Sequence, residues 1–255
     1  MILYESLMEH LKSCTSCGAT RGLPCYEAGK LLQAIADAAY TGEGMTILEA
    51  HAPPTVLSDI RPTALASHDR GGRPWNKVTG ICLHQTACVL GERPARWETV
   101  GAHIGVMRSG RVVHIHDFNR IVWHGNGWNA GTVGIEIDGL YEGVEGDPKT
   151  VWDDPSTAVH EKGMTPTTAA IEATKQAIRW ICSEVAKHGG EVKALVAHRQ
   201  SSDSRRNDPG SALWKAVALP MHAELELSDG GVGFKLGAGY PIPESWDPRC
   251  TGLKY

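Results

Sequence analysis

Long apolar runs are missing from this chain of 255 residues. The longest, GICL near 80 and ALVA near 194, fall far short of the roughly 20 residues that a membrane-spanning helix needs. A polybasic stretch is missing too. With 25 Lys and Arg against 29 Asp and Glu the formal charge is −4, so nothing recommends nucleic acid or an anionic membrane as the main partner. The opening MILYESLMEHLK has Glu5 and Glu9 where a secretory signal would need a basic end and an apolar core, so synthesis without a Sec-type signal is expected. Apolar residues at 42% and charged residues at 21% match ordinary globular usage and exclude disorder and fibrous repeats.

Phenylalanine is scarce, at 2 residues, against 8 Trp and 12 His. Tryptophan offers flat apolar area with one polar handle, suited to sugar rings and interfaces as well as cores. Histidine is the commonest metal ligand and titrates near neutrality. Seven cysteines leave at least one unpaired or metal-bound if the rest are bridged. Cys82 lies in an apolar strand pattern and Cys182 in a helix pattern, where a free thiol packs as a small hydrophobe.

The patterning divides the chain into four stretches. Over residues 1–44, Pro24 opens a helical run with Leu31, Leu32, Ile35, Ala38 and Ala39 on one face, closed by TGEG at 41–44. Residues 45–76, rich in Pro and Gly after 52, read as a linker and approach loop. Residues 77–220 form the main domain, and 221–255 an irregular Gly- and Pro-rich tail expected to pack on it.

Within the main domain VTGICL (78–83) predicts a buried strand ending at His84. HIGVM (103–107) and RVVHI (111–115) around Ser109-Gly110 predict a hairpin. GTVGIEIDG (131–139) predicts a strand with Ile135 and Ile137 on one face and Glu136 and Asp138 on the other. An acidic stretch from Tyr141 to Lys162 reads as a loop. Thr165 as N-cap and Pro166 at the first turn predict a helix with the stripe Ile171, Ile178, Ile181, Cys182 and Val185, ended by Gly189-Gly190. ALVA (194–197) predicts a short strand stopping at His198, and ALWKAV (212–217) the start of a last helix. Strands alternating with helices imply an α/β fold with a mixed central β-sheet covered by helices.

Three residues stand out by position. His84 and His198 each follow a buried strand, and Asp208 lies ten residues on in RQSSDSRRNDPG, where a Pro-Gly turn fixes the backbone. Two His and a carboxylate, with a fourth position open to water, is an arrangement of catalytic zinc sites. As an alternative, each His is an ordinary partly buried side chain.

Four segments, GICLHQTA, GAHIGVMRSGRVVHI, VWHGNGWNAGTVGIEIDG and VAHRQSSDSRRNDPG, together resemble the zinc-dependent N-acetylmuramoyl-L-alanine amidases of type 2. That group takes in phage endolysins, the cytoplasmic muropeptide amidase AmpD and animal peptidoglycan recognition proteins. The resemblance covers 77 to about 217 and implies an amidase-like fold and one Zn²⁺ cofactor held by His84, His198 and Asp208. It also implies cleavage of the amide joining the lactyl group of N-acetylmuramic acid to L-alanine.

Glu136 and Asp138 share a strand face, and chemistry does not choose between them. The resemblance selects Glu136 to move the proton of the attacking water. Arg206 stands where many relatives carry Lys and is expected to stabilise the oxyanion. His103, Trp123, His124, Trp128 and Asn129 are expected to line the substrate cleft, although core packing is an equal reading for both Trp.

A non-catalytic peptidoglycan-binding module is the competing function. All three ligand positions and Glu136 are filled by competent residues, which favours catalysis. Peptidoglycan or a muropeptide is the expected partner of an expected monomer, acting in the cytoplasm or reaching the wall as a phage-type lysin. His114 and His116 alternate along one strand and offer a weaker pair of metal donors. At the front, His10, Cys14, Cys17 and Cys25 in an H-x3-C-x2-C-x7-C pattern offer four donors for a second, structural metal. The H-x3-C-x2-C piece resembles the zinc segment of some anti-sigma factors, with the fourth donor displaced.

Overall fold

The expected strand of residues 78–83 forms as β3 (Gly80–Gln85), buried along its whole length, and becomes an inner member of a six-stranded sheet. The computed structural model describes residues 53–152 and 163–255. The helical segment expected over 1–44, with His10, Cys14, Cys17 and Cys25, lies outside the described residues, as does 153–162 of the acidic stretch.

The other strands of the sheet are β1 (Leu57–Asp59), β4 (Ile104–Val106), β5 (Val112–His114), β7 (Thr132–Ile137) and β8 (Ala194–Ala197). Their order is β1-β5-β4-β7-β3-β8, and β4 with β5 is the single antiparallel pair. That pair is the expected hairpin, turned at Ser109-Gly110. β2 (Asp69–Gly72) and β6 (Arg120–Val122) form a separate antiparallel pair. The sheet is thus mixed, and the parallel strands at its centre are covered on both faces, with only Glu136 less than fully buried along β3 and β7.

α1 (Thr168–Lys187) covers one face. It starts at Thr167 rather than Thr165. The Thr167 hydroxyl oxygen accepts from the Ala170 N–H at 3.1 Å while donating to the Arg108 carbonyl, so the true cap is also tied to the hairpin. Pro166 holds Thr165 extended and outside the helix. Gly189, at φ +77°, ends it in a left-handed turn, and the Gly190 N–H reaches back to the Val185 carbonyl at 2.9 Å. Ala170, Ala177, Ile178, Ile181 and Val185 pack on Leu83, Ile104 and Ile135 of the sheet. At about 1.5–3 kcal/mol for each fully buried branched side chain, this stripe is a main source of stability.

The last helix begins as expected, as α2 (Ser211–Leu213), but widens into a π-helical stretch at Trp214–Ala218 before α3 (Leu219–Leu225). Pro220 explains the change. It has no N–H for the ladder and its ring crowds the preceding turn, which a wider turn accommodates. The tail then folds back, and Ile242, Trp246 and Cys250 enter the main core. No helix among the described residues is long and apolar enough to cross a membrane. Cys82, Cys182 and Cys250 are buried free thiols, and Cys88 is free and half-buried.

Register decides what the opposite face carries. Leu83 pairs with Ile135 and Ile135 with Ile104, and all three point to α1. One residue on, His84 pairs with Glu136 and Glu136 with Gly105, and these point the other way. Ala197 pairs with Leu83, so His198 follows at the level of His84. Gly105 and Gly134 lie on this face and leave room for rings. A Cβ at Gly105 would come 2.2 Å from the ring of Trp97, which occupies that space. A second small core of Trp97, Met107, Val113, Ile115 and Ile60 closes this side toward β5.

Candidate metal centre

The strand ends bring His84, Glu136 and His198 together: Glu136 and His198 lie on the floor of a cleft of about 370 Å³, whose walls include Trp123, Trp152 and Arg205, and His84 is fully buried against them. Asp208 completes the floor from the loop after β8. Its Oδ1 accepts from the Gln85 N–H at 2.9 Å, which fixes the carboxylate against β3. The Gln85 side chain donates to the Tyr141 and Asn207 carbonyls and accepts from the Tyr141 N–H, so it ties the strand end to both flanking loops.

Three donor atoms converge. His84 Nδ1 lies 3.0 Å from His198 Nδ1, and Asp208 Oδ2 lies 3.0 Å from His198 Nδ1 and 3.7 Å from His84 Nδ1. Donors about 2.0–2.1 Å from a tetrahedral zinc would stand roughly 3.3 Å apart, so the set fits that ion. Glu136 Oε1 lies 4.0 Å from His84 Nδ1, and Glu136 Oε2 is buried with no hydrogen-bond partner. An orphaned carboxylate oxygen beside two imidazoles and a carboxylate is what a bound ion and its water would satisfy.

Electrostatics agree with the donor set. Burial pushes His84 down to about 4 even though Asp208 pulls the other way, so the ring is neutral and its lone pair available at neutral pH. Burial by itself would raise Asp208, but the hydrogen bond from His198 and the nearby His84 imidazole outweigh it and hold the carboxyl below the usual range. Glu136 is raised well above the ordinary value, first by burial and then by the charge of Asp208, with Arg205 opposing. A raised carboxyl in a cleft suits a group that must take up and return a proton near neutrality.

Asp138, on the same strand face, is engaged elsewhere. Its carboxylate accepts from the Leu90 N–H at 2.7 Å and the Gly91 N–H at 3.0 Å and pins the loop after β3. The two acidic residues that sequence chemistry left equivalent are thereby separated.

The other expected site residues divide. Trp123 stands on the cleft wall, 56% exposed, with the Arg70 guanidinium 3.3 Å above its ring. His124 also reaches the cleft but is mostly buried against His84, with Nδ1 3.0 Å from His84 Nε2. Burial and the neighbouring imidazoles hold His124 well below its usual pKa, hence neutral.

His103 does not reach the cleft. It is fully buried behind His124, with Nε2 facing the Arg120 carbonyl and Nδ1 accepting from the Gly134 N–H. Trp128 packs toward Phe234, and the Asn129 side chain accepts from the His124 and Gly125 N–H groups. Both shape the loop rather than the cleft wall.

Arg206 is turned away as well. Its guanidinium stacks over Tyr240 at 4.9 Å and Tyr255 at 4.7 Å, on the C-terminal tail. Arg205, from the 3-10 turn Asp203–Arg205, faces the cleft instead and lies 4.0 Å over Trp152. Neighbouring arginines in a tight turn point in different directions, and nothing in the run SRRND says which turns inward. Asn126 is a further residue that sequence reasoning passed over. Its Oδ1 lies 2.8 Å from His198 Nε2, and its φ of +53° is a conformation that Asn tolerates. The Asn-Gly pair at 126–127 was the available signal for that turn.

His114 and His116 are both buried but lie away from the cleft. His114 packs at 5.1 Å from Trp180 beneath α1, in the wall of a separate cavity of about 430 Å³, and neither belongs to a donor triplet among the described residues. Besides the triplet at the cleft floor, Cys82, His84 and His124 also place three donor atoms within 4.8 Å.

One family model, described as N-acetylmuramoyl-L-alanine amidase, matches residues 74–211. No curated protein sequence matches the chain. Among solved structures the chain is similar to the endolysin N-acetylmuramoyl-L-alanine amidase LysCS from Clostridium intestinale. The identity is 13%, over 70% of this chain and 99% of that one, with a TM-score of 0.47. Drosophila PGRP-LB is 18% identical over 64% of this chain and 88% of its own, with a TM-score of 0.41. A PGRP-LB mutant in complex with tracheal cytotoxin is 17% identical over 68% and 96%, with a TM-score of 0.43.

Proposed function

Because the chain belongs to the N-acetylmuramoyl-L-alanine amidase family, whose model spans more than half of it, we propose that it hydrolyses peptidoglycan or muropeptides. The bond cut is the amide between the lactyl group of N-acetylmuramic acid and L-alanine. The observation that carries this reading is the convergence of His84 Nδ1, His198 Nδ1 and Asp208 Oδ2 beside the unpartnered Glu136 Oε2 on the cleft floor.

His84, His198 and Asp208 would hold a zinc ion. When bound there, zinc supplies Lewis acidity that makes water nucleophilic near neutrality and polarises the scissile carbonyl. Glu136 takes the proton from the attacking water on its free oxygen and returns it to the departing alanine nitrogen, a general base and then a general acid. Arg205, whose guanidinium faces the cleft, holds the negative charge that grows on the carbonyl oxygen. Trp123 on the rim offers a flat apolar surface to the sugar or the peptide.

The test is to incubate purified muropeptides with the chain, with and without a chelator, and to follow release of stem peptide by mass. Release that stops with chelator and returns with added zinc is the expected result. Binding of muropeptide with no release under any metal condition would overturn catalysis and leave a binding module.

A further inference from the structure

A buried imidazole binds a metal through one nitrogen only if its proton sits on the other, and that choice is made by what the other nitrogen meets. For His84 the partner is a chain of three residues. His84 Nε2 lies 3.0 Å from His124 Nδ1. His124 Nε2 in turn lies 3.3 Å from both the carbonyl oxygen and the hydroxyl oxygen of Thr132. The carbonyl can only accept. The hydroxyl has committed its one proton to the Trp128 carbonyl at 2.9 Å, so toward His124 it too can only accept.

His124 Nε2 must carry the hydrogen; the ring is buried, and its partners His84 and Thr132 include no carboxylate to hold a second proton, so its Nδ1 keeps a lone pair. His84 Nε2 must therefore donate to it, which leaves His84 Nδ1 bare and aimed at His198 Nδ1 and Asp208 Oδ2. We infer that His124, backed by Thr132, is a positioning residue that fixes His84 in its metal-binding tautomer. This rests on the metal site proposed above and gives His124 a task other than substrate contact.

The surroundings hold the relay in place. The β7 residue beside Cys82 in register is Gly134, and a Cβ there would come 2.6 Å from His124 Cγ. The His124 ring lies in the space that glycine leaves. Asn129 Oδ1 accepts from the His124 N–H at 2.9 Å and the Gly125 N–H at 2.7 Å, so the loop presents the ring at one height over the strand.

Cys82 Sγ sits close enough to both rings to offer a rival use of the same atoms, a metal between Cys82, His84 and His124. The relay already uses both facing ring nitrogens in a hydrogen bond, and the two uses differ in what Cys82 does.

The experiment measures zinc affinity of the full chain by competition with a chromophoric chelator, for the parent and for His124→Phe, His124→Asn and Cys82→Ala. Loss of the acceptor in His124→Phe is expected to weaken zinc by about ten- to a hundredfold. His124→Asn places an amide oxygen near the former Nδ1 and is expected to restore most of that affinity. Cys82→Ala is expected to leave it unchanged.

Nitrogen-15 NMR of the metal-free chain supplies a readout that does not depend on how well a variant folds. It is expected to show His84 as the Nε2–H tautomer. A parent His84 carrying its proton on Nδ1 would overturn the inference. So would a folded His124→Phe with parental affinity, or zinc loss in Cys82→Ala as large as in His124→Phe. A parent that binds no zinc overturns the proposed function instead, and the nitrogen spectrum still decides the relay.

Discussion

Replacing Arg205 and Arg206 one at a time by alanine separates two roles that adjacent identical side chains conceal. The Arg205 guanidinium is braced 4.0 Å over Trp152 and forms part of the cleft wall. A unit charge about 5 Å from a developing oxyanion, at an effective dielectric of about 20, is worth about 3 kcal/mol. Water at the open rim reduces this, so Arg205→Ala is expected to cost about 1.5–3 kcal/mol of transition-state stabilisation. That corresponds to about a 10- to 200-fold fall in kcat/KM.

Arg206 lies over Tyr240 and Tyr255, where an exposed cation–π contact contributes about 0.5–1 kcal/mol each. Arg206→Ala is expected to lose about 1–2 kcal/mol of stability. At about 2–4 °C per kcal/mol for a chain of this size, Tm drops by a few degrees while kcat stays near parental. Muropeptide turnover and thermal unfolding, measured on both variants, give four numbers. Arg206→Ala inactive at unchanged Tm, with Arg205→Ala active, would refute the assignment.

Three further outcomes follow from particular contacts. Glu136→Gln removes the proton acceptor beside the donor triplet and should lower kcat about 10²- to 10⁴-fold while zinc still binds at one per chain; turnover within tenfold of the parent would exclude Glu136 as the base. Gly239→Ala would put a Cβ 2.2 Å from the Gln200 carbonyl, in the loop that carries His198, and should destabilise by about 1–3 kcal/mol in urea and weaken zinc binding. An unchanged unfolding midpoint would show that the tail yields freely there. Hydrogen bonding from Arg61 lowers Asp59 from 3.8 to about 2. Stability from that pair is therefore fully present above about pH 4 and lost as pH falls toward 2. Asp59→Asn should flatten this part of the acid limb, and an acid limb identical to the parent's would count against the pair.

Much of the architecture was legible because it is written in local periodicity. The strands at 80–85 and 132–137, the hairpin, and the helix stripe from Ala170 to Val185 each repeat at the spacing of their own geometry. Helix α1 started two residues late because its cap was chosen by a tertiary partner, the Arg108 carbonyl, rather than by the first Thr before a Pro. The π-helical turn before Pro220 is in principle readable from that proline alone.

The sequence by itself determined which chemistry was on offer. His84 after an apolar run, His198 after ALVA and Asp208 in a Pro-Gly turn are donors whose type and approximate place need no coordinates. Tertiary structure decided which atoms meet. Register placed His84, Glu136 and His198 on one face at one level. Two backbone amides drew Asp138 away and left Glu136 Oε2 free.

A tight turn sent Arg205 inward and Arg206 out to the tail's tyrosines. A missing Cβ at Gly134 admitted His124 against His84. The physical reason is common to all four. Residue type and strand period are properties of a short stretch of chain. Which of two equivalent side chains faces the cleft is set by partners 34 to 123 residues away, whose hydrogen bonds and packing have no trace in the local pattern.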